Sequence, residues 1–301
     1  MPPEAPEAPT PELLTDPTTL IFGTDFAEAV SLDPARAYEF WSCQIVHCLY
    51  DTLVTFERGD LTEVKPELAE SWEISEDGLV WTFHLRQGLT FPSGTPVNAE
   101  AVAFSFNRAC KLEQAAGWVL TQFGMEDGST VAIDEYTVQI TLDQKYAPLL
   151  YLSCIAFTTA SVVDPVVVME NEQEGDMGGS WMTDHSAGNG PYILDKWERG
   201  TEIVLKANEN YWKGDPSLKT ILVKQITEPA DQRMMLERGD IDIAWNLPAD
   251  MIDDLQGVKG IEIDEEPVFT QNYIGMNVGV EPLGDERVRQ AIRWSIDYDG
   301  I

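Results

Sequence analysis

Basic residues are scarce in this sequence, whose 301 residues include 19 lysines and arginines against 52 aspartates and glutamates. The formal charge of −33 repels the phosphates of nucleic acids and of anionic lipids, so we expect neither as a partner. Two explanations of the acidity stay open. It either solubilises the surface, as in salt-adapted proteins, or it attracts cationic ligands such as basic peptides and amines.

Histidine, cysteine and enzyme motifs are also sparse. The three histidines, His47, His84 and His185, are scattered, and the four cysteines show no CxxC pair and no metal-ligand spacing. There is no HExxH, GxSxG or P-loop motif. We therefore expect a protein that is not an enzyme and has no metal site and no cofactor. No apolar run approaches the ~20 residues that a membrane-spanning helix needs.

The disulfide state of the cysteines stays open. Cys43 and Cys48 lie five residues apart in a predicted helix. Helical geometry separates their Cα atoms by about 8 Å, which is too far for a bridge between them. Either one could pair with Cys110 or Cys154, or all four could be free thiols.

The two ends of the chain lack the features of a finished domain. Residues 1–18 are rich in proline, alanine and glutamate, which predicts a semi-rigid linker. This segment is either a frayed terminus or a tether that follows a signal or lipid-anchor segment. A helix predicted over 285–296 has no following element to bury its apolar face. We expect an N-terminal piece of a longer protein, the alternative being a complete domain with a docked last helix.

Two hairpins are the clearest local patterns. Residues 71–86 alternate apolar and polar side chains on both sides of Asp77-Gly78, which predicts a β-hairpin with one buried face. His84 falls on the more polar face and is expected to be a surface imidazole without a function. A second hairpin is predicted over 131–142, with its turn near Asp134-Glu135. Between the two, Asn98 is predicted to cap a helix.

Helix and strand signals frame these hairpins. A strand is predicted from Thr19 to Phe22, and Asp33-Pro34 predicts a helix start. The face of that helix is expected to contain Tyr38, Trp41, Ile45 and Leu49. Farther along, a strand over 218–226, a helix from Pro229 to Arg238 ended by Gly239, and a strand over 241–245 predict a right-handed parallel βαβ unit. Residues 268–278 are predicted to be extended.

Two loops are candidates for ligand binding because of their place beside strands. Ligands of open parallel sheets bind beyond the carboxyl ends of the strands. The loop over 23–28 follows the first strand, and Trp245-Asn246-Leu247 follows the last strand of the βαβ unit. Both combine an aromatic side chain with polar groups, which suits a pocket for a small polar ligand. Core packing is the alternative role for Phe26 and Trp245.

Five stretches in order resemble the family 5 extracellular solute-binding proteins, the peptide- and nickel-binding receptors of ABC importers. The resemblance covers almost everything from 19 to 301. Asn189 stands where the family usually has threonine, and Ser295 stands at a usual alanine. The stretches are KPELAESWEISEDGLVWTFHLRQGLTFPSGTPVNAEAVAFSF (65–106), GNGPYIL (188–194), NENYWKG (208–214), ERGDIDIAW (237–245) and YIGMNVGVEPLGDERVRQAIRWSIDYDGI (273–301).

The resemblance implies an α/β, periplasmic-binding-protein-like fold in which two lobes close on a ligand. It also implies an extra α+β domain inserted in the first lobe. The first lobe would comprise residues 19–50 plus 185–268, and the inserted domain residues 51–184. The second lobe would begin at 269 and be largely absent, since only 269–301 belong to it.

The function implied by the resemblance is that of a substrate-binding receptor. It would capture oligopeptides or dipeptides outside the cytoplasm by lobe closure and deliver them to the permease subunits of an ABC importer. We expect a monomer, either periplasmic or tethered by an N-terminal lipid anchor that this chain does not contain. The carboxylate that holds the ligand's amino terminus in many peptide-binding relatives is expected beyond residue 301.

Ten residues are predicted to contact the ligand. Those near 273–277 could also pair through their backbone with an extended peptide. The predicted contacts are Asp25, Phe26, Ala27, Glu28, Trp245, Asn246, Leu247, Tyr273, Met276 and Asn277.

Rival functions stay open at this point. Within the family, nickel or a metal chelate, an oligosaccharide or an opine could be the ligand instead of a peptide. Outside it, the chain could belong to a secreted hydrolase with an acidic pair, which turnover of chromogenic substrates would reveal. It could also belong to a sensory protein in which a receptor lobe is fused to a signalling module.

Overall fold

The computed structural model describes residues 16–112, 114–265 and 273–298. The chain divides into two compact units, residues 1–265 and 266–301. No helix in the described ranges is long and apolar enough to cross a membrane. The strands are β1 (Thr19–Thr24), β2 (Val54–Glu57), β3 (Asp60–Pro66), β4 (Ala69–Ile74), β5 (Val80–Leu85), β6 (Thr130–Asp134), β7 (Thr137–Thr141), β8 (Tyr192–Glu198), β9 (Glu202–Ala207), β10 (Thr220–Gln225) and β11 (Ile243–Ala244). The helices are α1 (Phe40–Leu49), α2 (Ala99–Leu112), α3 (Trp118–Thr121), α4 (Pro148–Ile155), α5 (Pro165–Glu170), α6 (Pro229–Arg238), α7 (Ala249–Leu255) and α8 (Glu286–Ser295).

The main sheet has the strand order β11-β1-β10-β9-β8. β1 lies parallel to both of its neighbours, β10 and β11, whereas β8, β9 and β10 form an antiparallel meander. α6 connects β10 to β11, and Gly239 ends it in the left-handed conformation that glycine adopts without steric cost. The predicted strand–helix–strand unit is therefore confirmed. Its two strands flank β1, and the second strand is shorter than predicted.

Both predicted hairpins are present in a separate sheet, ordered β4-β5-β7-β6. β4 pairs with β5 around Asp77-Gly78, and Gly78 takes the positive φ of 78° that the turn requires. Trp81 and Phe83 of β5 are buried, while the side chain of His84, the residue after Phe83, is partly exposed beside Glu73. Alternate residues of β5 are thus buried on one face of the hairpin, as the sequence pattern predicted. A small third sheet pairs β2 with β3.

The first helix begins later than predicted. Asp33 does cap a turn, since its carboxylate accepts a hydrogen bond from the Ala35 N–H at 3.0 Å. The chain then becomes extended at Glu39 (φ −68°, ψ 147°), and α1 starts at Phe40. Tyr38 consequently lies before the helix and is 45% exposed, so its assignment to a face of that helix was wrong. The remaining stripe of this face is buried as predicted: Trp41, Ile45 and Leu49.

The two helices predicted after Asn98 and over 285–296 are present as α2 and α8. Asn98 caps α2, because its side-chain oxygen accepts from the Ala101 N–H at 3.0 Å. The predicted terminal helix corresponds to α8, which Asp285 caps through the Arg287 N–H. Within the extended segment predicted over 268–278, residues 273–277 form no strand or helix and a turn begins at 278. The part of that segment over 268–272, and residues 1–15 of the predicted linker, lie outside the described residues. All four cysteines are free thiols.

Buried apolar residues of the first unit form two hydrophobic clusters. One is built on the β4-β5-β7-β6 sheet, α2 and α4, and its largest members include Trp81, Phe83 and Tyr151. The other lies between α1 and the main sheet and includes Trp41 and Val223. The division of the chain into a first lobe and an inserted domain stays a prediction.

A buried ion pair joins segments that are far apart in sequence. Arg108 of α2 donates two hydrogen bonds of 2.7 Å to the carboxylate of Asp33, and both side chains are almost fully buried. The Arg108 Nε also donates to the Met177 carbonyl at 2.8 Å. The loop after β1, α2 and the long acidic loop over 171–190 are thereby held together.

Removing one partner of this pair should destabilise the fold. Arg108→Met is expected to lower the free energy of unfolding by about 3–5 kcal/mol, because Asp33 would remain as a buried, unpaired charge. Denaturant unfolding followed by circular dichroism measures the loss. Lys111→Met on the same helix removes an exposed pair with Asp127 and should leave the denaturation midpoint unchanged.

The double variant sharpens this test. In an Asp33→Asn background the charge to be compensated is gone, so Arg108→Met should cost clearly less than it does in the wild type. Equal losses in both backgrounds would show that the pair is not the source of the stability.

Candidate functional site

Three parallel strands end at the same edge of the main sheet. Phe22 of β1 pairs with Ile243 of β11, and Thr24 of β1 pairs with Gln225 of β10. The segments that follow these strands, 25–28, 226–228 and 245–247, therefore leave the sheet side by side. We name these three segments the carboxyl edge. Two of the three predicted contact segments lie here, as the sequence predicted.

Gln225 fixes the first segment of the carboxyl edge. Its side-chain oxygen accepts a hydrogen bond from the Phe26 N–H at 2.9 Å, and its amide nitrogen donates to the Asp25 carboxylate. The same carboxylate oxygen of Asp25 accepts from the Ala27 N–H at 3.1 Å. Asp25 and Ala27 are exposed. The loop thus presents its polar groups in one fixed arrangement before any ligand arrives.

Glu28 caps the N-terminus of α1 with its side chain. Its carboxylate accepts from the Trp41 N–H at 3.2 Å, while the residue that precedes α1, Glu39, makes no capping bond with its own side chain. Glu28 therefore satisfies one of the free N–H groups at the start of α1, where a negative charge is favourable. Its exposed side chain remains at the carboxyl edge, so a ligand would meet a carboxylate that is already oriented.

Phe26 corrects one predicted contact. Its side chain is 2% exposed and belongs to the hydrophobic cluster under α1. Core packing, the alternative considered for this residue, is what the structure shows. Phe26 anchors the loop and offers no surface to a ligand in this structure.

The third segment carries the open aromatic surface of the carboxyl edge. Trp245 is 44% exposed, and its ring stacks on Phe40 with the ring centroids 5.8 Å apart and the planes at 22°. Asn246 has a φ of +62°, a left-handed conformation that asparagine tolerates better than most residues. Leu247 is half-buried. This arrangement offers a flat apolar face beside the carboxylates of Asp25 and Glu28.

The remaining predicted contacts belong to the second compact unit. Tyr273 is 85% exposed, Met276 is half-buried, and Asn277 is exposed with its side-chain oxygen accepting from the Gly279 N–H at 2.9 Å. Their convergence with the carboxyl edge stays a prediction.

Two residues of this site were missed from the sequence. Phe40 stands on the exposed side of α1, opposite the apolar stripe by which the helix was recognised. Gln225 is the last residue of β10, and the rule that ligands bind beyond strand ends could have pointed to it.

Asp51 is a buried carboxylate that accepts hydrogen bonds from three side chains. It is 5% exposed and accepts from Trp212 Nε1 at 2.7 Å, from the Tyr211 hydroxyl at 3.0 Å and from Asn189 Nδ2 at 3.1 Å. Burial raises the pKa of Asp51 to about 7, although the Trp212 hydrogen bond works in the opposite direction. Perturbed carboxyls often mark functional sites. All three partners here are side chains of the protein itself, so we assign Asp51 a structural role.

A surface hollow over residues 173–180 is explained by its own hydrogen bonds. It has a volume of about 450 Å³ and is lined by polar groups that include Glu174 and Ser180. The Asp176 carboxylate accepts from the backbone N–H groups of Gln173, Gly178 and Ser180, and these bonds lower its pKa. The Asp176 carboxylate thus stabilises the conformation of its own loop.

The histidines do not converge. His47 lies on α1 and His84 on β5, while His185 stacks on Trp181 in the acidic loop. Within the described ranges, no group of three or more His, Cys, Asp or Glu side chains is arranged to hold a metal ion.

Comparison with known proteins gives a consistent assignment. The model of the bacterial extracellular solute-binding proteins, family 5 middle, matches residues 63–301. The probable D,D-dipeptide-binding periplasmic protein DdpA of Escherichia coli K12 is 36% identical over 278 residues, which cover 91% of this chain and 52% of that protein. The chain spans about half the length of the curated relatives it matches.

Solved structures agree with the fold described above. The binding protein MoaA from A. tumefaciens R10, in complex with mannopinic acid, superposes with a TM-score of 0.79 at 25% identity, covering 94% of this chain and 56% of that one. DppA from Helicobacter pylori, in complex with the peptide STSA, has a TM-score of 0.69 at 28% identity and covers 80% of this chain and 49% of that one. The predicted periplasmic-binding-protein-like α/β fold is confirmed.

The raised pKa of Asp51 predicts a pH dependence of stability. The ordinary pKa is 3.8 and the folded value about 7, so folding favours the protonated acid. The resulting stabilisation is complete below pH 4 and is lost progressively as the pH rises from 4 through 7, a change on the order of 4 kcal/mol. Asp51→Asn should flatten the unfolding free energy between pH 4 and 8. Asp195→Asn, at an exposed position, should leave the wild-type slope, and an unaltered slope in Asp51→Asn would contradict the assignment.

Proposed function

The chain belongs to the bacterial extracellular solute-binding proteins of family 5, and from this membership we propose that the whole protein is a receptor of an ABC importer. It captures oligopeptides or dipeptides outside the cytoplasm and delivers them to permease subunits in the membrane. The family consists of binding receptors and not of enzymes, which supports a role without catalysis. A peptide ligand is favoured by three similar proteins. One is a probable D,D-dipeptide-binding protein, one binds glutathione, and the structure of the third contains a bound peptide.

The observation that carries this proposal is the carboxyl edge. Three parallel strands end together, and the segments that leave them present exposed carboxylates beside the stacked pair Phe40 and Trp245. Apolar faces with a few oriented polar groups are what small-ligand sites require. The loop over 25–28 is fixed by Gln225 and by the start of α1, which lowers the entropic cost of binding.

Several finer features belong to the same proposal. The first lobe comprises residues 19–50 plus 185–268 and carries the inserted domain over 51–184, and the second lobe begins at 269. Tyr273, Met276 and Asn277 contact the ligand from that second lobe when the lobes close. The receptor is a monomer in the periplasm, or it is tethered by a lipid anchor.

An opine is the second candidate ligand. The structure of MoaA contains mannopinic acid, and its TM-score of 0.79 shows that the same fold accepts such a molecule. Segments 24–30, 225–229 and 245–249 contain no lysine or arginine for the carboxylate of an opine, and the guanidinium of Arg199, which lies against the first of them, donates to the Ala29 and Val30 carbonyls. A peptide with a free ammonium group suits this edge better.

Calorimetry of the full-length protein tests the ligand class. Titration with a pool of di- to pentapeptides should give binding heat with dissociation constants of roughly micromolar or tighter, while mannopinic acid should give none. Trp245→Ala should weaken binding by about tenfold or more, because it removes the open aromatic face. Ile133→Ala, an exposed residue on β6, is the matched control and should bind like the wild type. Heat from the opine and none from the peptides would refute the peptide assignment.

A further inference from the structure

Two buried carboxylates of the first unit are not fully compensated. Four aspartates and glutamates among the described residues are buried. Asp33 is paired with Arg108, and Asp164 caps the N-terminus of α5 with its side chain. The other two are Asp51 and Glu67, each of which is 5% exposed. Because burial of a charge is costly unless it is paired and hydrogen-bonded, these two need an explanation of their own.

One loop binds both of these carboxylates. Residues 208–214 follow β9, and we name them the junction loop. Its side chains Tyr211 and Trp212 donate to Asp51, and the next residue, Lys213, donates to Glu67. Three successive residues thus bring the two acids to the same site.

Glu67 is left with an unsatisfied acceptor. Its Oε1 accepts from Lys213 Nζ, whereas its Oε2 is buried and has no hydrogen-bond partner among the described residues. A buried acceptor without a donor destabilises the folded state. The site therefore lacks a donor, and a proton bound to either carboxylate would supply one.

The charges at the site do not balance either. Lys213 supplies the ammonium that bonds Glu67. Arg86 donates from Nε to the Glu67 backbone carbonyl at 2.7 Å, and its Nη1 lies 3.8 Å from the Glu70 carboxylate, so its charge faces another acid. His47 of α1 also interacts with Glu67, but an imidazole is largely uncharged above pH 7. One ammonium thus faces two buried carboxylates, which disfavours ionisation of both.

The titration of Asp51 agrees with this charge count. Burial is the main cause that raises its pKa to about 7, and repulsion by Glu67 raises it more than attraction by Lys213 lowers it. The site therefore binds a proton in mildly acidic solution and loses it in mildly alkaline solution. Because the two acids interact, this proton belongs to the pair.

The junction loop connects parts of the first unit that are built on different sheets. Trp212 packs against the hydrophobic cluster of the β4-β5-β7-β6 sheet. The Asn208 N–H donates to the Pro191 carbonyl at 2.8 Å, and the neighbouring Gly190 N–H donates to the Leu49 carbonyl, at the end of α1, at 3.0 Å. The loop between two strands of the main sheet is thereby held against α1 and against the second cluster.

We infer that Asp51 and Glu67 hold one proton between them in mildly acidic solution, and that losing this proton in mildly alkaline solution releases the junction loop. With both carboxylates ionised, the excess negative charge is stabilised by water. Water can reach it only when Tyr211 and Trp212 move away, since these side chains cover Asp51. The pair is thus a pH-sensitive contact that opens locally while both hydrophobic clusters stay folded.

Hydrogen exchange of the full-length protein, followed by mass spectrometry, tests this inference. After correction for the intrinsic exchange rate, the protection of 208–214 should fall by about tenfold or more between pH 6 and pH 9. β5 should remain among the slowest-exchanging segments at both pH values, which distinguishes local opening from unfolding. Equal protection of the junction loop at the two pH values would overturn the inference.

Matched variants identify the groups responsible. Asp51→Asn and Glu67→Gln each remove one of the two negative charges, so the junction loop should be equally protected at pH 6 and pH 9 in both. Asp195→Asn, at an exposed position of β8, should keep the wild-type loss. A loss of protection that persists in both Asp51→Asn and Glu67→Gln would contradict the assignment.

Infrared spectroscopy detects the proton itself. At pH 6 exposed carboxyls are ionised, so the carbonyl band of a protonated carboxyl should report the buried pair. This band should be present in the wild type at pH 6, disappear at pH 9 and be missing from Asp51→Asn at pH 6. A wild-type spectrum at pH 6 without the band would show that the pair holds no proton and would overturn the inference.

Discussion

The ion pair between Arg108 and Asp33 is the constraint on which the arrangement of the first unit depends. Two charges at 0–2% exposure are tolerated only because both hydrogen bonds between them are well formed and Arg108 also reaches the Met177 carbonyl. A hydrophobic contact at the same place would allow sliding, whereas a bidentate pair allows one geometry. The chain that leaves Asp33 therefore starts from a fixed point, and seven residues later it begins α1 at the carboxyl edge.

A second buried polar cluster fixes the other end of α1. Asp51 follows that helix closely and collects hydrogen bonds from Asn189, Tyr211 and Trp212. The segments that flank α1 are thus held on one side by the bond between Arg108 and Asp33 and on the other by the partners of Asp51. Because Phe40 is the first residue of α1, the position of the stacked pair with Trp245 follows from anchors that lie far from it.

The sequence predicted what depends on short-range patterns. Alternation around Asp77-Gly78 was enough for the first hairpin, and Gly239 marked the end of α6 correctly. The predicted start of α1 was wrong because Asp33 followed by proline is typical of a helix cap. The Asp33 carboxylate instead accepts hydrogen bonds from the Ala35 N–H in a single turn and from the guanidinium of Arg108. Phe26 was taken for a contact because its loop follows a strand, while burial under α1 depends on tertiary packing that no local pattern contains.

The stretches that carry the family resemblance largely build the frame rather than the site. GNGPYIL contributes Asn189, and NENYWKG contributes Tyr211 and Trp212, all three of which bind Asp51. The long stretch over 65–106 forms the β4–β5 hairpin and the start of α2. Of the stacked pair at the carboxyl edge, Phe40 lies outside these stretches, and Trp245 is the last residue of one. The stretches that carry the family resemblance therefore account for the partners of the buried Asp51, and the exposed side chains of the loop over 25–28 lie outside them.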